Sequence, residues 1–166
     1  ITYFGNPELE RTLIDNYDLR LEYFPRPGEI FAVSGFYKIF HDPIEKRYFA
    51  KEKEMTWTNV DEAYTMGLEF EARKRLDLFS PKLENFLVGG NLALVHSQVT
   101  IPEFEMQFIR NVDADADNKR QFEGQSPYII NMNVSYEKPE KGMSASLYYN
   151  VFGKRLACST GQATPD

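Results

Sequence analysis

Tyr64-Thr65-Met66-Gly67-Leu68-Glu69-Phe70-Glu71-Ala72-Arg73 alternates without a break. Tyr64, Met66, Leu68, Phe70 and Ala72 share one parity, and Thr65, Gly67, Glu69, Glu71 and Arg73 share the other. Successive side chains of a strand point to opposite sides, so this stretch is a strand with one apolar and one charged face.

The same period recurs on both sides of it. Residues 17–24 set Tyr17, Leu19, Leu21 and Tyr23 against Asp18, Arg20 and Glu22. Residues 29–40 set Phe31, Val33, Tyr37 and Ile39 against Ala32, Ser34 and Lys38. Downstream, 86–98, 126–137 and 143–152 repeat the pattern, with Asn91, Ser97, Asn131, Asn133, Ser135, Ser144, Ser146 and Asn150 on the polar side. Pro25-Arg26-Pro27-Gly28 and Glu137-Lys138-Pro139-Glu140-Lys141-Gly142 are turns, because Pro presets φ and Gly allows positive φ. No helical period of comparable strength stands out. The reading is all-β: an antiparallel up-and-down meander of about six strands.

The connections are unequal. Residues 25–28, 77–85 and 138–142 are short, whereas about 41–61 and 99–125 are long, polar and without a sustained period. In a meander the short turns then fall at one end and the long loops at the other. Strands of about 9–11 residues, short turns at one end, long loops at the other, an apolar outside with aromatic girdles and a polar inside are the marks of an outer-membrane barrel. On periodicity alone, a soluble or surface-attached β-sandwich that binds or adheres is the alternative, with its charges simply facing solvent.

Composition bears on the choice. The chain has 166 residues, 42% hydrophobic, 27% charged and 14% aromatic, and its mean hydropathy is −0.48. So many aromatics in so polar a chain suggests work besides filling a core. A net charge of −6 and pI near 5.1 disfavour a nucleic-acid partner. The longest uncharged run, 85–102, contains Asn91, His96, Ser97, Gln98 and two glycines, so it makes no spanning helix. The single cysteine, Cys158, rules out an internal disulfide and reads as a free thiol in a terminal loop. The first residues, ITYFGNPELE, do not look like a signal peptide and read as the beginning of a fragment. A barrel in lipid tolerates no open edge and bacterial ones start at about 8 strands, so about six strands are expected to form part of a larger barrel.

Several segments, in order, resemble the barrel of TonB-dependent outer-membrane receptors. They are Asn6-Pro7 with Leu9, Asn16-Tyr17-Asp18-Leu19-Arg20, Glu22-Tyr23-Phe24, Phe36-Tyr37-Lys38 and Pro43-Ile44-Glu45. They continue as Asn59-Val60 through Ala63 to Gly67-Leu68-Glu69, then 124–131 (GQSPYIIN) and 149–155 (YNVFGKR). The resemblance implies a plugged barrel of about 22 strands in the outer membrane of a Gram-negative bacterium. It implies as partners a plug domain, the remaining barrel strands, the TonB complex and the lipid bilayer. The cargo would be a scarce nutrient: a siderophore, cobalamin, a glycan or a peptide. The whole chain, 1–166, would be the C-terminal portion of such a barrel, short of its last strand or two and without the plug.

Candidate chemistry is sparse, and no enzyme is expected. Asp18, Arg20, Glu22, Glu69, Glu71 and Arg73 are the charges expected to line the lumen; as acid/base pairs they have no further support. Asp113-Ala114-Asp115-Ala116-Asp117-Asn118 has the alternation of a calcium loop. An EF-hand match fails, because Asn118 stands where Gly is needed and Gly124 where Glu is needed. His41, expected at a strand end, and His96 lack a carboxylate at metal-binding spacing. No nucleophile elbow, phosphate loop or zinc motif occurs. No cofactor is expected.

Overall fold

The computed structural model describes residues 2–49, 53–157 and 159–160. Cys158, and with it the free-thiol reading, lies outside the described residues. In chain order the strands are β1 Thr2–Tyr3, β2 Leu13–Tyr23, β3 Ile30–His41, β4 Ile44–Phe49, β5 Glu54–Asn59 and β6 Glu62–Arg75. They continue with β7 Phe86–Thr100, β8 Lys119–Arg120, β9 Tyr128–Lys138, β10 Met143–Phe152 and β11 Ser159–Thr160. One helix, α1, spans Glu103–Arg110, and 3-10 turns occupy Leu76–Leu78, Pro81–Leu83 and Pro139–Lys141.

The six long strands form one antiparallel sheet in the order β10-β9-β7-β6-β3-β2, with β8 pairing the far end of β7. They hold 10 to 15 residues each, enough for a bilayer core that needs about 9–11. Register makes the two faces explicit. Leu21, Val33, Phe70, Leu92, Ile130 and Val151 stand side by side across all six strands. One residue further along, Glu22, Ala32, Glu71, Asn91, Asn131 and Asn150 do the same on the opposite face.

The apolar face is open: Leu19 is 69% exposed and Leu147 74%. A β-sandwich would cover that face with a second sheet, and none of the described residues does. Aromatic rings gather toward its two ends. Tyr64 lies 6.0 Å from Tyr37 and 6.1 Å from His96 near the long-loop end, and Phe86 lies 5.0 Å from Tyr136 near the short-turn end. Tyr17 and Tyr23 on β2 are six residues apart, about 20 Å at the usual strand rise.

The short connections, 24–29, 76–85 and 139–142, lie at one end, and the long ones, 42–61 and 101–127, at the other. Gly28 and Gly142 supply φ of 83° and 62° in the short turns, a conformation that glycine adopts without cost. The buried core is not at mid-sheet. Val60, Ala63 and Val99 pack with Phe40 and Phe122 at the long-loop end, on the polar side of the sheet. The long loops therefore fold inward over that face.

Four features differ from the sequence reading. The stretch 41–61 is no plain loop: β4 and β5 pair as a hairpin within a small sheet ordered β1-β5-β4-β11. In β4 the inward residues are Glu45 and Arg47 while Ile44 is exposed, so the usual polarity is inverted and the hydrophobic pattern hides the strand. The stretch 99–125 contains α1, whose two turns are too short to build a visible helical period. Finally, β2 begins at Leu13, ahead of the alternation that starts at Tyr17, and Ser159 and Thr160 pair β4 in a stretch read as loop.

Candidate functional site

All six charges singled out in the sequence lie on the polar face. Arg20 organises them. Its guanidinium donates to Glu22 Oε1 at 2.5 Å, to Ser34 Oγ at 3.0 Å and to Glu71 Oε2 at 2.7 Å. The reach from β2 to β6 crosses β3 beside Ala32, which stands between Glu22 and Glu71 and leaves the space open. Glu71 is followed across the sheet by three asparagines. Asn131 Nδ2 donates to Asn91 Oδ1 at 2.7 Å, and Asn150 Nδ2 donates to Asn131 Oδ1. The result is a polar belt of two hydrogen-bonded groups in one row, a charged group from β2 to β6 and a neutral one from β7 to β10.

Arg73 leaves the belt and donates from Nε to the Gly28 carbonyl at 2.9 Å. Asp18 and Glu69 are exposed and make no side-chain hydrogen bond or ion pair within the described residues. Beside Asp18 in register is Phe36, whose ring lies across Gly67. A Cβ on Gly67 would stand 2.6 Å from that ring and 2.5 Å from the Leu94 carbonyl oxygen, so glycine is required there.

At the short-turn end, Glu29 is almost wholly buried yet fully paired. It accepts from Arg26 at 2.5 Å, from Lys74 Nζ at 2.7 Å and from the Arg75 N–H at 3.2 Å. Those bonds, Arg26 first and then Lys74, hold its carboxyl at about 2, well below the usual range. Asp77, bound by the same Arg26 at 2.7 and 2.8 Å, is lowered for the same reason. One arginine thus ties the first short turn to the second.

A second ionic group, not anticipated from the sequence, sits under the long loops. Glu45, 2% exposed, takes both terminal nitrogens of Arg120 and the backbone N–H of Glu123. Two residues along β4, Arg47 pairs with Glu105 of α1, and both are nearly buried. Burial, and then the neighbouring Arg120 charge, lower the pKa of Arg47. The segment Ile44-Glu45-Lys46-Arg47-Tyr48-Phe49 carries three charges in a row and no alternation of polarity; the period of two is in burial alone, with Glu45 and Arg47 inward and Ile44 and Lys46 outward.

The chemistry offered is recognition. Among the described residues no group of three or more His, Cys, Asp or Glu side chains is placed to hold a metal, and the Asp113 carboxylate caps the Asp115 N–H at 3.1 Å. His41 ends β3 and bonds Asp15 at 3.1 Å, and His96 faces the apolar side beside Tyr64. A belt of charges and amides over a wet surface, with loops folded above it, is suited to hold another polypeptide or a polar ligand.

No curated protein and no solved structure gives a match. A family model, TonB dependent receptor-like, beta-barrel, matches residues 1–164. That match spans all six long strands of the sheet, and this chain belongs to the TonB-dependent receptor β-barrel family, as a membrane barrel segment of a receptor and transporter.

Proposed function

We propose that the chain contributes strands to the barrel of an outer-membrane importer in a Gram-negative bacterium, carrying a scarce nutrient such as a siderophore, cobalamin, a glycan or a peptide. The observation that carries this reading is the strict division of one sheet into an open apolar face and a hydrogen-bonded charged face, within a chain of this family. Lipid takes the first face and water the second. Asp18, Arg20, Glu22, Glu69, Glu71 and Arg73 then line the lumen, where Asp18 and Glu69 offer unpaired carboxylates to cationic side chains of a plug domain. The strands β2 and β10 stand at the two ends of the sheet order, and further strands of the same barrel pair with them, because lipid tolerates no free edge. The long loops capture cargo outside, and the TonB complex supplies energy from the periplasm. The role is transport, not catalysis.

The experiment is uptake by cells that depend on the full-length receptor, with and without TonB. A ferric siderophore, cobalamin, an oligosaccharide and a peptide are offered in turn as the limiting nutrient. TonB-dependent growth on one of them is expected. Growth on a nutrient that persists without TonB would refute the energised part of the reading.

A further inference from the structure

The lower aromatic girdle of the apolar face has a gap. In register across six strands stand Tyr23, Phe31, Ala72, Gly90, Met132 and Tyr149. Four large side chains flank two of the smallest. Gly90 is not incidental: a Cβ there would stand 3.0 Å from the Asn131 carbonyl oxygen, so the backbone would have to give for the floor to be raised. From the short-turn end, Leu78 and Phe79 project beside this gap, 67% and 76% exposed. Between them and the sheet lies an open groove of about 950 Å³. Glu22, Glu71, Asn91 and Asn131 border it through backbone alone, because their side chains lie on the opposite face. The side chains that reach it from the sheet are apolar, apart from Lys74 at its short-turn end.

We propose that this groove is a specific site for one phospholipid of the periplasmic leaflet, with an acyl chain over Ala72 and Gly90 and the headgroup phosphate near Lys74. The inference rests on the reading that the apolar face meets the bilayer. Continuity with that face selects lipid as the occupant, since the groove is a recess in the surface that lipid already covers. Its position selects the leaflet, because the recess opens at the end carrying the short turns. The Lys74 ammonium, held by Glu29 at 2.7 Å, gives the recess a polar end. Tyr23 and Phe31 flank it on one side and Met132 on the other, so a chain lying there is enclosed on two flanks.

The test is native mass spectrometry of the full-length receptor, reconstituted with phosphatidylglycerol, extracted in detergent and released from micelles at energies that strip loosely held lipid. Wild type is expected to retain one phosphatidylglycerol. Ala72→Phe, which fills the gap, should reduce the retained fraction at least tenfold, and Phe79→Ser, on an exposed turn, should reduce it with no folding burden. Leu68→Phe, on the same face above the groove, should leave it unchanged. Heat-modified gel migration shows which variants are folded; if Ala72→Phe is not, Phe79→Ser carries the test. Retention of no lipid by a folded, bilayer-inserted wild type would overturn the site and leave the barrel reading standing. Equal retention by the groove variants, equal loss in Leu68→Phe, or capture of lipid A or a protein at the same place would overturn it too.

Discussion

Arg20 on β2 donates to Glu71 on β6 at 2.7 Å, across the whole width of β3. The same guanidinium holds Glu22 and Ser34, so one side chain ties three strands on the charged face. Its partners are about two-fifths exposed, which sets the size of the effect: exposed ion pairs contribute little and are screened by salt. Arg20→Gln in the full-length receptor is therefore expected to lower the thermal midpoint slightly at low salt. The difference should vanish near 1 M salt, where the screening length is about 3 Å. A large loss that persists in high salt would mean that the belt is desolvated.

Leu68 and Glu69 are neighbours in sequence and stand on opposite faces. Leu68 is 50% exposed in mid-strand, and on the proposed reading, with its face toward lipid, Leu68→Arg should cost about 2–4 kcal/mol, as arginines at the bilayer midplane do. Glu69→Arg should cost far less, because on the same reading its face lies in water. Urea titrations of the full-length receptor folding into lipid vesicles read both. Equal costs would contradict the assignment of faces.

How much of this was legible follows from what the period of two reports. Where apolar residues face one way along nine residues, as in Tyr64 to Ala72, the strand and its two faces can be read directly, and the pairing of β6 with β3 and β7 keeps those faces apart. The β4 strand runs Glu45-Lys46-Arg47 with no alternation of polarity, because Glu45 and Arg47 point into a small buried group of ions while Lys46 faces out. A search for apolar alternation passes over it. Those partners also lie far away in sequence: Arg120 is 75 residues from Glu45. Pairings of that range depend on where the long loops fold, which no local pattern carries. The same holds for Arg20 and Glu71, 51 residues apart, whose shared face was readable and whose bond was not.

Gly67 should tolerate no side chain. Gly67→Ala would drive its Cβ against the Phe36 ring and the Leu94 carbonyl oxygen, at 2.6 and 2.5 Å. The ring can rotate; the carbonyl, paired in the sheet, cannot follow cheaply. A loss of about 1–3 kcal/mol is expected, the range for overpacking. Phe36→Ala combined with Gly67→Ala should recover part of it and leave the part owed to Leu94. Full recovery in that double variant, measured by the same urea titration, would show that the ring alone excludes the side chain.

Glu29 makes the short-turn end sensitive to acid. Its carboxyl titrates near 2 when folded and near 4.5 when free, so folding favours the ionised form. The stabilisation is complete above about 4.5 and disappears as pH falls toward 2. Asp77 shifts in the same direction and deepens the effect. In thermal melts of the full-length receptor, the advantage of wild type over Glu29→Gln should be constant from pH 8 to about pH 5 and shrink steadily below. An advantage that varies around neutral pH, or that survives at pH 2, would rule out Glu29 as its source.

Glu45 and Arg120 set the strength of the inward fold of the loops. Glu45 has 1% of its side chain exposed and Arg120 16%, so removing one partner leaves a charge without water and without its counterion. Arg120→Met should therefore cost about 3–5 kcal/mol, the penalty for breaking a buried pair. Removing both charges, Glu45→Met with Arg120→Met, should restore most of that, because apolar residues of similar volume replace buried ion pairs at little cost. The loss should belong to the loop, not to the strands, because the β3–β6 and β6–β7 ladders are made without residues 101–127. Limited proteolysis of the full-length receptor in detergent separates the two. Arg120→Met should be cut within 101–127 much faster than wild type, the double variant at a rate close to wild type, and the barrel core in all three should survive intact. Strand cleavage that rises in step with loop cleavage would show instead that the ion pair supports the sheet itself.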